Sequence, residues 1–88
     1  MRVRYDTKAA EGLTVYVDPD ACHLYLKVVT GETDSVHLYV IDKDGKTVTE
    51  KEIPSNQLTA VSLTNIGQGF YMAKIRFNET EMTERFRF

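Results

Sequence analysis

The chain has 88 residues, with 11 Lys and Arg against 13 Asp and Glu, a single Cys and 42% apolar residues. A chain this short forms one domain and hides roughly 64% of the surface its unfolded form would expose, enough for one thin core, which argues against a cleft enzyme of ordinary size. A formal net charge of −2 with both signs interspersed argues against a nucleic-acid arm, a polybasic membrane anchor and an acidic tail.

Residues 1–11 read as a poorly ordered segment or an added strand, ahead of a domain over residues 12–88. The opening Met1 to Ala10 has charge but no apolar run of signal-peptide length, and no stretch is long enough to span a bilayer. Period-two alternation recurs along the chain, and helical spacing is sustained nowhere beyond a single turn, which predicts an all-β protein. The first strand is Leu13 to Val17, with Leu13, Val15 and Val17 on one face; Asp18-Pro19-Asp20 ends it in a turn. The second, Ala21 to Val29, has an apolar file of Cys22, Leu24, Leu26 and Val28 opposite His23, Tyr25 and Lys27.

The third strand, Ser35 to Ile41, turns Val36, Leu38 and Val40 inward and His37 and Tyr39 outward. Asp42-Lys43-Asp44-Gly45-Lys46 is a hairpin connection in which Asp caps the turn and Gly45 supplies the positive φ of a type I turn plus bulge. Thr47 to Ile53 forms the fourth strand, and its Glu50, Lys51 and Glu52 mark it as a sheet edge. Pro54-Ser55-Asn56 breaks it. A short strand over Leu58 to Leu63 leads to a glycine-punctuated crossing, Thr64 to Gly69. Phe70 to Phe77 then places Tyr71, Ala73, Ile75 and Phe77 opposite Met72, Lys74 and Arg76, and Asn78-Glu79 turns into the last strand, Thr80 to Phe88, with Met82, Phe86 and Phe88 on one face.

Short strands at this spacing predict a seven-stranded antiparallel immunoglobulin-like β-sandwich. Its expected core is Val15, Val17, Leu24, Leu26, Val28, Val36, Leu38, Val40, Val61, Leu63, Tyr71, Ala73, Ile75 and Phe86.

Two motifs carry a family resemblance over roughly residues 13–88. An Asp-x-x-Gly-x-x-Val hairpin falls on Asp42, Gly45 and Val48, and a Leu-x-x-Ile-x-x-Gly-x-Tyr step on Leu63, Ile66, Gly69 and Tyr71. With the closing strand they resemble the small secreted immunoglobulin-like domains of Bacteroidetes and, in pattern, the C-terminal sorting domains of type IX secretion cargo. The chain departs from the sorting-domain pattern in lacking a large passenger and a Pro- and Asn-rich opening, so the standalone domain is the closer match. The resemblance implies an extracytoplasmic location, secreted or periplasmic. Tyr71 also suits a tyrosine corner, its hydroxyl tied to the backbone of the Ile66 to Gly69 crossing.

Candidate chemistry is sparse. Asp42, Asp44 and Gly45 resemble the start of a calcium loop, but Lys46, Thr47 and Val48 resume a strand and the closing Glu is absent. Asp18 and Asp20 suit a solvated turn. His23 and His37 lack a third ligand and belong to strands that sit in opposite sheets of such a sandwich. Cys22 and His23 point to opposite faces, so the thiol reads as buried and inert. No nucleophile elbow, phosphate loop or dinucleotide fingerprint is present. No catalytic residue, metal or cofactor is therefore expected.

If the third, sixth and seventh strands share a sheet, its outward face gathers His37, Tyr39, Lys74, Arg76, Arg85 and Arg87 into a candidate binding face. Arg and Tyr combine stacking area with directed donors, which suits a protein or anionic glycan surface. Cross-strand pairing with Glu79, Glu81 and Glu84 would instead make it an ordinary solvated face. The sequence thus predicts a non-enzymatic binding or structural module of the cell envelope or secreted space, with no nucleic-acid partner and no membrane span. The alternative is a secretion sorting or assembly domain read through its C-terminal strand. No residue pattern specifies an oligomeric state.

Overall fold

The computed structural model describes residues 12–88 together with the backbone of Arg2–Tyr5. Eight strands are formed: β1 (Arg2–Tyr5), β2 (Gly12–Asp18), β3 (His23–Val29), β4 (Ser35–Asp42), β5 (Thr47–Pro54), β6 (Thr59–Ser62), β7 (Phe70–Phe77) and β8 (Thr80–Arg87). The seven from Gly12 onward are those expected from alternation. Of the expectation for residues 1–11, Met1 and residues 6–11 lie outside the described residues.

All pairings are antiparallel. One sheet has the order β1-β2-β3-β6 and the other β5-β4-β7-β8, and β2 packs across the interior against β8. The chain thus changes sheet between β3 and β4, between β5 and β6, and between β6 and β7. This is the immunoglobulin-like sandwich that the turn spacing implied.

Register explains the interior. Leu24, Leu26 and Val28 of β3, Val36, Leu38 and Val40 of β4, and Ala73 and Ile75 of β7 are all buried, because every second side chain of a strand faces the same way. Leu38 pairs with Ile75, and Val40 with Ala73, so two apolar files lie side by side in the middle of one sheet. Leu13, Ile53, Phe77 and Met82 join the core beyond the expected set. Val17 and Tyr71 are only half-buried and pack at its margin. Val17 adjoins the Asp18 turn, whose Oδ1 accepts from the N–H groups of Asp20 and Ala21 (3.1 and 3.2 Å).

Tyr71 keeps its polar end out. Its hydroxyl donates to the Gly67 carbonyl (2.5 Å) while its ring stacks on Phe86 with centroids 5.8 Å apart, as the tyrosine-corner reading required.

Two local expectations need correction. Cys22 lies in the turn before β3, with φ 56°, and is half-buried rather than part of a buried file; Leu63 N–H donates to its carbonyl. The left-handed backbone takes it out of the pleat, which begins at His23. Glu84 is the second. It is 3% exposed on the inward file of β8, between Met82 and Phe86, because its parity matches theirs.

The hairpin from β4 to β5 is built by Asp42. Its Oδ1 accepts from the N–H groups of Asp44 and Lys46 (both 2.9 Å), its carbonyl accepts from Gly45, and Gly45 sits at φ 85°. The pairing slips between Val40 and Ile41, so a bulge follows the turn.

Leu38→Ala should cost about 2–5 kcal/mol, read as a lower midpoint in urea at unchanged slope, because the fully buried site at the centre of the sheet cannot collapse. Tyr71→Phe should cost about 1 kcal/mol by the same measurement, since the ring stays packed and only the bond to Gly67 is lost.

Candidate functional site

The outward face of the β5-β4-β7-β8 sheet is laid out in rows by register. Glu52, His37, Arg76 and Glu81 form one row, and Glu50, Tyr39, Lys74 and Thr83 the next. Ile41, Met72 and Arg85 follow, and Phe70 stands opposite Arg87 at the sheet's end. All six residues expected on this face are on it.

The charges are not uniform across it. His37 Nε2 lies 2.8 Å from Glu50 Oε2, and its ring is tilted against that of Tyr39 at 4.8 Å. Glu81 Oε2 lies 3.4 Å from Lys74 Nζ and 3.7 Å from Arg76 Nε, and Lys74 sits 5.8 Å from the Tyr39 ring centroid. These are partly exposed pairs in water, each contributing about 0–1 kcal/mol, but they set carboxylates beside the basic residues in the middle of the face. Of the three glutamates expected to pair with them, Glu81 does, Glu79 lies in the exposed turn after β7, and Glu84 is inside the sandwich.

Arg85 and Arg87 differ. Among the described residues neither forms an ion pair, and Arg87 lies over the ring of Phe70, 5.5 Å from its centroid. Phe70 is 65% exposed. Together with Lys43 from the hairpin and Met72, these residues line an open depression of 560 Å³. Lys43 and Phe70 were absent from the candidate set, since a turn lysine and the first residue of a strand carry no alternation signal that would assign them to a face.

The two edges of this sheet are unlike. β5 carries the bulge, Pro54, and Lys51 paired opposite the buried Leu38, so it offers a broken and charged edge. β8 pairs with β7 from Phe77↔Thr80 to Phe70↔Arg87 with no slip and contains no proline. Gly69 and Phe88 exchange both backbone bonds at 2.8 Å. By the alternation of an antiparallel ladder, even-numbered residues of β8 therefore bond to β7, while Glu81, Thr83, Arg85 and Arg87 direct their backbone groups away from it. No described strand meets them.

His23 and His37 stand in different sheets, and among the described residues no three His, Cys, Asp or Glu side chains are grouped to hold a metal ion. No described helix is long and apolar enough to cross a membrane.

The residues that carried the resemblance are those that build the turns and crossings: Asp42 and Gly45 the hairpin, Val48 and Ile66 the margin of the core, Gly69 and Tyr71 the anchoring of the last crossing. Gly69 has φ 154° where it meets Phe88. No curated protein matches the chain. Residues 14–87 match the family described as Secretion system C-terminal sorting domain. That match spans β3 to β8 whole and most of β2, and the chain belongs to the family of type IX secretion C-terminal sorting domains.

Proposed function

We propose that this domain is a sorting module that commits the protein carrying it to export, and that secretion machinery reads it by adding a strand to β8. Family membership supports the sorting role. The single structural observation that carries the strand reading is the unbroken, proline-free edge of β8, with backbone donors and acceptors of four alternate residues directed away from the sheet. This prefers the sorting alternative of the sequence over a binding module on the open sheet face. The middle of that face is occupied by its own side-chain pairs, His37 with Glu50 and Lys74 and Arg76 with Glu81, which leaves little of it for a ligand.

Truncating the strand would be a poor test, because Phe86 belongs to the core and Phe88 closes the ladder with Gly69. Thr83→Pro is better. It removes one outward N–H and no bond to β7, a place where an edge strand tolerates proline. A passenger fused to the 88-residue chain should be exported by a type IX-competent cell, and Thr83→Pro should stop export while thermal melting shows the domain still folded. Undiminished export of the folded variant would reject the strand reading.

A further inference from the structure

We infer that the strand received by β8 is an acidic one: an extended segment of a partner protein with carboxylates at every second position. The inference deepens the strand-addition reading and rests on it. Strands in a sheet lie about 4.8 Å apart, and directly opposed side chains meet on the same face. A strand seated on β8 therefore brings one file of its side chains beside Thr83, Arg85 and Arg87 on the outward face.

The last two are cations without a carboxylate partner among the described residues, in a chain of net charge −2. Lys43 lines the same depression, and Glu81, at the far end of the file, is already engaged by Lys74 and Arg76. The uncompensated charge thus gathers at one end of the open edge, beside the exposed ring of Phe70.

Charge complementarity selects an acidic file and rejects a basic one, while backbone pairing supplies the length-dependent part of the affinity. A second copy of this chain is the less suited occupant. Its own acidic edge, β5, has Glu50 and Glu52 with the right spacing, but presents a bulge, Pro54 and Lys51 to any strand beside it.

The 88-residue protein would be titrated at low salt with capped alternating Val-Glu and Val-Lys peptides, each about eight residues long to match a typical strand. The Glu peptide should bind at least about tenfold more tightly than the Lys peptide, and the double variant R85E/R87E, altered only at exposed positions, should invert that order. Equal binding of the two peptides, or a Glu preference that survives R85E/R87E, overturns the inference. So does concentration-dependent self-association that the peptide displaces and that Glu50→Lys with Glu52→Lys removes, since the occupant is then a second copy. The two claims separate cleanly: a charge preference alongside normal export of Thr83→Pro leaves binding of an acidic strand standing and removes strand addition as the way secretion machinery reads the domain. Blocked export without a charge preference does the reverse.

Discussion

Two sheets that exchange no ladder hydrogen bonds are held face to face across their interior by apolar side chains, and everything else in this molecule follows from keeping that contact dry and aligned. Leu24, Leu26 and Val28 on one side, and Leu38, Val40, Ala73 and Ile75 on the other, are removed from water. Burying the Leu, Val and Ile side chains among them contributes roughly 1.5–3 kcal/mol each, against the conformational entropy of ordering the chain. With so thin a core, alignment depends on the crossings that carry the chain from one sheet to the other. Each is pinned by polar contacts where apolar packing runs out.

The crossings show how. After β5, Asn56 adopts φ 61° and copies a peptide group with its side chain: Oδ1 accepts from Thr30 N–H (3.0 Å) and Nδ2 donates to the Thr30 carbonyl (2.7 Å). Its own N–H donates to Val28, and Ser55 Oγ donates to the Thr33 carbonyl (2.6 Å). The end of β3 and the exit of β5, in different sheets, are thereby tied together. At the other side the Tyr71 hydroxyl holds Gly67, and Gly69 meets Phe88. Asn and Gly suit these positions because left-handed backbone costs them least.

Much of this was legible in the letters. Alternation located the strands because a pleated strand writes its two faces into every second residue, and the Asp42 to Gly45 turn was explicit in its chemistry. What alternation does not encode is where the pleat starts and what a polar residue does on the inward file. Alternation alone draws Cys22 into a strand it precedes, and the charge of Glu84 suggests the surface although its parity with Met82 and Phe86 places it inside. Pro54-Ser55-Asn56 read only as a break, since the role of Asn56 depends on Thr30, far away in sequence. The basic face was legible as a set of residues, but not its division. Which cation meets a glutamate is fixed by cross-strand register, which sets Lys74 and Arg76 beside Glu81 and leaves Arg85 and Arg87 without a carboxylate among the described residues.

The parity of β8 gives the open edge a means of rejecting a misaligned guest. The residues of β8 whose amides face outward belong to the same parity as its cations, whereas Glu84 and Phe86 line the narrow seam toward Val15 and Val17. A guest out of step by one position turns its side chains over. Its carboxylates would then enter that seam beside Phe86, Val15 and Val17, and its apolar groups would be left in solvent. An apolar seam beneath a basic file thus makes phase, as well as sequence, a condition of entry.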